Sequence, residues 1–487
     1  MAQTLAQILT GETKGDDATR ITASELLVNT PDPSSPEMAI KESQFPENLW
    51  QAAIAATRFG YGIRPGELQI IAQDPKGWLL RQIDDTSMPE EITGLSKSSS
   101  YLTGYMEAYE KRGRPFDDFM ADSRQNAMYE IAQHELAAFN SVNPFRERLI
   151  RFWVNQFNLP GHDPVIYPMT VQFEREVIRP YLNRSYYHML LAAYQHPAML
   201  MLHSNDTSIA PYSPTGDRVK VQINESLARE ILEKHTMGPE ADFTESDITA
   251  LASMLTGWSV GRLGSRHAGK FLYRNDWHDR NKKMFLKRIF PSAGMMEFEA
   301  AMDMVARSPR TGWRIADHMA REFITDTPSE HLLRDMVQGF LKSSGNIMGM
   351  AHAMIESPHA WTPVFDKVKT PQHLVISTLK ALDYVPQNGR ELVRHQTALG
   401  QPPFQPSTPA GWPRRSTHWV EPDLYADRLE WLTQMASENR LKANPVDQAI
   451  GILGPRVRPS TARHISVAPN HLDATAMLLT SPEFQRS

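Results

Sequence analysis

The stretch from Asn224 to Gly238 reads NESLAREILEKHTMG, and it combines an apolar stripe with a run of charged residues. Leu227 and Ile231 are four positions apart, the spacing that places side chains on one face of a helix. The final glycine is followed by Pro239, a typical way for a helix to end. The stretch therefore predicts an amphipathic helix over residues 224–235, closed by the glycine.

The segment that follows carries its own helix signals. Thr244 and Asp247 have the spacing of a capping box, and Phe243 and Ile248 that of a hydrophobic staple. Gly257 is a natural end for the helix that they begin. A second helix is therefore expected over 245–255, where the cap serves structure rather than chemistry.

Helical spacing continues on both sides of these two segments, whereas strand signals are scarce. The other predicted helices are 49–59, 67–72, 143–157, 171–182, 186–195, 297–306, 313–323, 329–342 and 347–355, and the pattern becomes helical again from residue 422 onward. Residues 270–273 alternate weakly and are expected to form a short strand, and residues 402–413 hold five prolines and are expected to form a non-helical loop. The fold class predicted is mainly α: a multi-helix single globular unit with long irregular, Pro-rich loops and little β. Trp153 and Trp258 lie in apolar helical patterns and are expected to be buried.

Composition changes once along the chain. Residues 1–45 are rich in Thr, Ser, Asp and Pro and show weak periodicity, which indicates a mobile N-terminal arm. Residues 46–487 keep the helical pattern and are expected to form one helical domain. Met1–Asp17 lacks the basic and apolar regions of a signal peptide, so a cytoplasmic location is the default expectation.

Charge and residue inventory exclude several classes of function. The chain has 51 basic and 56 acidic residues, a net charge of -5, and no long basic run, so nucleic acid is not expected as a partner. It has no cysteine, which rules out disulfides, thiolate metal sites and a cysteine nucleophile. No window holds the roughly 20 apolar residues of a membrane span, so a soluble protein is expected.

Charged residues on the 224–238 segment allow a purely structural interpretation. Glu225, Arg229 and Glu233 are spaced four apart, which is typical of an ion-pair ladder on a solvated helix face. His235 lies in the last turn, where the negative end of the helix dipole favours a cation without any ligand.

The same segment also allows a functional interpretation, in which its polar residues line a cavity. An arginine could then hold a carboxylate or phosphate, and a glutamate could act as a base or a metal ligand. The candidates on this segment are Asn224, Arg229, Glu230, Glu233 and His235. Glu233 and His235 point about 160° apart around a helix, so they cannot bind one ion without ligands from elsewhere.

A second polar cluster, His278-Asp279 with Lys283, could supply such groups. It fits a metal ligand, a general base with its orienting partner, or only a turn. We expect His278 to approach Glu230, Glu233 and His235 in the folded chain. The cofactor stays unassigned, since a divalent metal suits these residue types but no complete ligand motif indicates one.

Motifs spread over most of the chain carry a resemblance to a known family. They are Ala55-Ala-Thr-Arg-Phe-Gly60, Asn143-Pro-Phe-Arg-Glu-Arg148, the aromatic segment 152–157, the segment 224–238, Leu255-Thr-Gly-Trp258, His278-Asp279, Lys369-Thr-Pro371, Gly400-Gln-Pro402, Pro409-Ala-Gly-Trp-Pro413 and Ser481-Pro-Glu-Phe484. In this order they resemble the domain-of-unknown-function 1800 family (DUF1800), which is predominantly bacterial. The resemblance implies one integrated helical unit and no established activity, and some similar proteins look exported.

The aromatic segment departs from the pattern of that family. Similar proteins commonly read Phe-Trp-His-Asn-His-Phe there, whereas this chain has Val154 and Gln156 in place of both histidines. If those histidines serve a metal or a proton transfer, this chain has lost that group.

Two functions remain open at this point. One is an enzyme, such as a hydrolase of a polar polymer or conjugate. It would use Glu230 or Glu233 together with Arg229, His235 and the His278-Asp279 pair. Asn224 and Lys283 would help to bind the ligand. The other is a non-catalytic accessory or binding protein for a polar ligand or a protein partner, in which this network is structural. An enzyme needs the residues to converge on an open cleft, whereas a scaffold buries them in pairs.

Overall fold

Helices dominate the structure. The computed structural model describes residues 45–408, 410–438 and 444–487, and it is 63% helical and 4% strand. The expected mainly α fold is confirmed. The arm expected over residues 1–45 lies almost wholly outside the described residues.

The chain forms many short helices joined by brief turns. The α-helices of the first part are Glu47–Ile54, Glu67–Ile71, Pro75–Asp84, Ser98–Lys111, Arg114–Asn140, Pro144–Phe157, Tyr167–Phe173, Arg179–Tyr181, Tyr186–Gln195, Pro197–Leu202, Gly216–Val219, Ser226–Glu230 and Glu245–Leu255. Those of the second part are Met295–Ala306, Pro309–Phe323, Glu330–Lys342, Ile347–Glu356, Pro371–Ala381, Gly389–Ala398, Ser416–Trp419, Pro422–Glu438, Pro445–Leu453, Pro459–Ser466, His471–Thr480 and Pro482–Gln485. In the described part of the chain, none of them is both long and apolar enough to cross a bilayer.

Among the described residues, seven further helical turns are not α. The 3₁₀ turns are Glu90–Ile92, Asn205–Thr207, Pro358–Ala360 and Gly454–Arg456, and the π segments are Ala55–Phe59, Glu174–Ile178 and Ile231–His235. Each π segment directly follows an α-helix, and Glu174–Ile178 also leads into the short helix Arg179–Tyr181, so it widens a turn inside a longer helical run.

Local capping chemistry explains where the helix of residues 245–255 begins and ends. The Thr244 side chain accepts a hydrogen bond from the Asp247 N–H, and the Asp247 carboxylate accepts one from the Thr244 N–H, which completes the capping box. After the helix, Gly257 adopts a left-handed φ of 82° that few other residues tolerate. The bounds predicted for this helix are confirmed.

Two small antiparallel hairpins account for the strands. Strand β1, Trp258–Val260, pairs with β2, Phe271–Tyr273, and β3, Lys283–Phe285, pairs with β4, Arg288–Phe290. The short strand expected over residues 270–273 is confirmed as β2, and the other three strands were not predicted.

Buried apolar residues form two main cores. The first core draws on residues from Leu49 to Ala360. The second joins Tyr61, Ala138 and Phe139 to helices between residues 374 and 484. Trp153 and Trp258 are both 0% exposed in the first core, which confirms that they are buried.

Buried arginines connect chain segments that are distant in sequence. Arg58 Nη1 donates to the Ala360 carbonyl at 2.6 Å, and Arg456 Nη1 donates to Thr57 Oγ1 at 2.9 Å. The Arg456 guanidinium also donates to the Glu483 carbonyl. Burial lowers the pKa of Arg456 to about 9, and the positive charge of the nearby Arg58 acts in the same direction. These contacts connect the helical run of residues 47–59 to the last third of the chain.

Candidate functional site

Arg229 occupies a surface ladder of ion pairs. Its Nη1 lies 3.0 Å from Glu233 Oε1, and its Nη2 lies 2.6 Å from Glu245 Oε2 and 3.8 Å from Glu225 Oε2. The Arg229 side chain is 39% exposed. The predicted i, i+4 pairing is therefore confirmed. The Arg229 guanidinium is already bound by carboxylates at the surface.

The helical run around Arg229 ends in a π segment that buries His235. The α-helix covers Ser226–Glu230 and the π segment Ile231–His235, so the predicted helix is confirmed with a wider last turn. His235 Nδ1 lies 3.1 Å from the Tyr194 hydroxyl, and its ring packs 4.9 Å from the Phe157 ring. Burial lowers the pKa of His235 well below its usual value. A neutral imidazole is what this apolar setting favours.

Glu230 is the side chain of this segment that stands closest to His235. Its Oε1 lies 3.8 Å from His235 Nε2, and its Oε2 lies 2.8 Å from Lys234 Nζ. Burial raises the pKa of the Glu230 carboxyl. Asn224 lies at the start of the run, where its amide donates to the His203 carbonyl at 2.7 Å and fixes the turn.

His278 belongs to a different buried group. Its Nδ1 lies 2.9 Å from the Thr256 carbonyl, and its Nε2 lies 3.5 Å from Glu297 Oε1. Lys283 Nζ forms an ion pair with Glu297 Oε2 at 2.6 Å. Asp279 accepts hydrogen bonds from Asn281, which makes a turn. This group stabilises the first hairpin and the start of helix 295–306.

The two groups do not share partners. Every polar contact of the His278 side chain lies between residues 256 and 297, whereas His235 contacts Tyr194 and Glu230. In the described part of the chain no hydrogen bond or ion pair connects them. Likewise, no group of three or more His, Asp or Glu side chains among these residues is arranged to hold a metal ion.

A cavity of about 90 Å³ lies elsewhere, and Phe152 of the first core is among the residues that line it. Its walls come from helix 144–157 and from the proline-rich loop that follows residue 400. The lining side chains include Glu135, Arg151, Phe152, Val154, Asn155, Glu322, Gln372, Gln396, Gln401, Phe404 and Trp412. It therefore combines amides, two carboxylates, one guanidinium and aromatic rings, the mixture of apolar walls and a few polar groups that is typical of ligand sites.

Glu135 is the most deeply buried polar group of the cavity, at 0% exposed. Its Oε2 accepts hydrogen bonds from Gln372 at 2.9 Å and from Gln396 at 2.7 Å. Its Oε1 lies 3.1 Å from Arg151 Nη2 but has no hydrogen-bond donor in proper geometry. A buried carboxylate oxygen without a donor has a strong tendency to accept one from a ligand.

Behind Arg151 lies a buried charge network centred on Glu174, which is itself 0% exposed. The Glu174 carboxylate lies 2.7 Å from Arg151, 2.8 Å from Arg179 and 2.8 Å from His134 Nδ1. Burial alone would raise the pKa of Glu174, but the two arginines and His134 hold it well below its usual value. The network fixes Arg151 beside the cavity.

The proline-rich loop packs against helix 144–157 through Phe404, Gly411 and Trp412. Phe404 has a left-handed φ of 59°, and the Arg151 guanidinium lies 4.8 Å from the centre of its ring. Asn155 accepts a hydrogen bond from the Trp412 N–H at 2.6 Å and donates to the Trp412 carbonyl at 3.0 Å. A Cβ at Gly411 would lie 2.4 Å from Asn155 Oδ1, so glycine is required there. The loop is thus docked tightly on helix 144–157.

The two positions where similar proteins carry histidine have different surroundings. Val154 lines the cavity, whereas Gln156 accepts hydrogen bonds from His318 and Arg414, each at 3.0 Å. Residues two apart on a helix face opposite ways. A histidine at position 154 would therefore reach the cavity, and one at position 156 would not share a ligand with it.

Sequence reasoning missed most of the cavity. Asn155 enters the sequence analysis only as part of the aromatic segment 152–157, and Glu135 and Arg151 were not singled out. The nearest signal was Arg151 placed one turn before Asn155, directly ahead of the aromatic segment 152–157. The partners Gln396 and Trp412 lie more than 200 positions away along the chain and carry no local signal.

His318 provides a test of this environment by pH. Burial and the nearby Arg414, Arg314 and Arg321 lower its pKa to about 2, against about 6.5 in an unfolded chain. The unfolded chain therefore takes up a proton first as pH falls below 6.5, and the folded state loses about 2 kcal/mol of stability from this group by pH 5. The variant His318→Gln, whose amide can still donate to Gln156, is expected to lose less stability between pH 7.5 and pH 5 in urea unfolding. An unchanged pH dependence would contradict the assignment.

Comparison with known proteins adds a family and no activity. No curated protein and no solved structure gives a significant match. The family described as "Protein of unknown function (DUF1800)" matches residues 54–486, which span the helix of the surface ladder, the charge network and all of the cavity. Since that match covers nearly the whole sequence, the chain belongs to the DUF1800 family.

Proposed function

We propose that the protein binds a small polar molecule in the cavity beside Glu135 and Arg151, and that the polar residues of the 224–238 segment support the fold. The observation that carries the proposal is the Glu135 carboxylate, which is fully buried yet keeps one oxygen without a hydrogen-bond donor. The Arg151 guanidinium lies 3.1 Å from that oxygen, but an ion pair without an aligned hydrogen bond stabilises a buried carboxylate less than one with it. A ligand hydroxyl or amide would supply that hydrogen bond.

The surroundings of the 224–238 segment support the second half of the proposal. Arg229 is neutralised by three surface glutamates, and His235 is enclosed by aromatic rings. Neither group has the open, convergent setting that a reacting substrate needs. Their contacts are those of a network that positions helices.

A hydrolase is a second candidate, and it is favoured by one observation at the same cavity. Glu135 and Glu322 both line it, and a pair of carboxylates can divide the roles of acid and base or nucleophile. Turnover of a bound probe into products would favour this candidate over binding alone.

The proposal is tested by binding of small probes to the full chain. D-glucose, acetamide, L-arginine and inorganic phosphate are titrated separately, and the melting temperature and the tryptophan fluorescence are followed, since Trp412 lines the cavity. At least one probe is expected to raise the melting temperature saturably, because a ligand that binds only the folded state stabilises it.

A pair of variants at one position controls the location of binding. Val154→Phe fills the cavity and is expected to abolish the effect of the probe, whereas Val154→Ala leaves the cavity open and keeps it. The proposal is wrong if none of the four probes binds, or if the probe binds the phenylalanine variant as tightly as the parent.

A further inference from the structure

We propose that the ligand of the cavity is a neutral, hydroxyl-rich ring, the chemistry of a single sugar unit. This inference rests on the proposed function, since it assumes that the cavity is a binding site. It goes further by naming the chemical class that the lining selects.

The polar groups of the lining suit hydroxyls. Side-chain amides both donate and accept, and Gln372, Gln396 and Gln401 contribute three of them to one wall. Two of these amides direct an N–H at Glu135 Oε2, so the carboxylate is oriented while its Oε1 still lacks a donor. A hydroxyl donates to one group and accepts from its neighbour, and such a wall offers both kinds of partner.

The charges of Glu135 and Arg151 in the lining are already balanced by the protein. Glu135 faces Arg151 at 3.1 Å, and the other arm of Arg151 holds Glu174 at 2.7 Å. An anionic ligand would find no free cation in the described part of the lining and a cationic ligand would find only Glu322, and burying an unpaired charge is costly. A neutral ligand avoids that cost.

Aromatic surfaces complete the match. Phe152, Phe404 and Trp412 line the same space, and aromatic faces pack well against apolar C–H groups. A sugar ring presents such C–H faces above and below its rim of hydroxyls. The cavity therefore offers an apolar surface for the faces and a polar wall for the rim.

The size of the cavity is consistent with one ring. A cavity needs about 10–15 Å³ on this scale to admit a water molecule, so 90 Å³ admits several. The volume therefore points to a small ligand of about one ring.

The test compares neutral and charged sugars on the unaltered protein by calorimetry. The neutral probes are D-glucose, D-galactose and N-acetyl-D-glucosamine, and the charged ones are D-glucosamine, an ammonium, and D-glucuronate, a carboxylate. At least one neutral sugar is expected to bind at least tenfold tighter than both charged sugars, which corresponds to about 1.4 kcal/mol.

A matched pair of variants then tests the amide wall. Gln396→Leu is expected to weaken binding of the neutral sugar about tenfold or more, because it removes one amide of the cavity. Gln434→Leu removes an exposed amide that bonds only Glu438 in its own helix, and it is expected to leave binding unchanged.

The outcomes distinguish a wrong ligand class from a wrong proposed function. Tighter binding of a charged sugar, or no binding of any neutral sugar, overturns the ligand class. If L-arginine or phosphate binds to the cavity while sugars do not, the ligand class is wrong and the proposed function stands. If no probe of either panel binds, both are wrong. Equal loss in the two glutamine variants would also reject the role of the amide wall.

Discussion

Replacing Glu174 with alanine is expected to lower the free energy of unfolding by about 3–5 kcal/mol. The Glu174 carboxylate is fully buried and accepts hydrogen bonds from Arg151, Arg179 and His134, all within 2.8 Å. Its removal leaves two buried guanidinium groups partly uncompensated, and that penalty exceeds any loss of packing. Urea unfolding of parent and variant at pH 7 measures the difference.

The control is Glu245→Ala, which removes another arginine-bound carboxylate. Glu245 pairs with Arg229 at 2.6 Å, a contact as short as those of Glu174, but it does so at the surface. Water screens that pair, so far less stability is expected to be lost. Equal losses in the two variants would show that burial does not set the strength of the Glu174 network.

Replacing Trp153 with alanine is expected to cost a similar amount, about 3–5 kcal/mol, for a different reason. The ring is 0% exposed and packs 5.1 Å from the Phe152 ring and 5.2 Å from the Tyr186 ring, measured between centroids. Its loss leaves a cavity that these rings cannot fill, because they are held by their own neighbours.

Trp277→Ala provides the comparison for this prediction. Trp277 is only half-buried, and its ring is covered on one side by the Arg274 guanidinium at 4.7 Å. Because the ring buries less apolar surface and water can enter the space it leaves, Trp277→Ala is expected to lower the free energy of unfolding less than Trp153→Ala does. If the two alanine variants unfold at the same urea concentration, the packing argument for Trp153 fails.

The sequence was sufficient where short-range chemistry decides the structure. The helix of residues 245–255 was predicted to the residue, because Thr244 and Asp247 cap its start and Gly257 terminates it. The helix Arg114–Asn140 is absent from the predicted helices, because Gly113 and Pro115 are residues typical of a loop, although here they flank the first residue of a helix. Glycine and proline occur both in loops and at the start of helices, and packing against distant parts of the chain decides which of the two forms.

The candidate site was less accessible to sequence reasoning. Arg229 and Glu233 could be paired from spacing alone, because both lie on one helix. Glu135 and Gln396 meet across 261 positions, and no local pattern specifies such a contact. The π turn that ends at His235 is equally invisible, since it depends on the buried rings against which the histidine packs.

The hydrogen bond between Thr57 and Arg456 has a consequence for how the chain reaches its fold. The two residues are 399 positions apart, so a ribosome that adds about 5–20 residues per second makes the second roughly 20–80 seconds after the first. Throughout that interval the apolar residues around Thr57 lack their final covering. Nascent chains of this length are therefore expected to be clients of holding chaperones, and slowing elongation late in the message should lengthen that dependence.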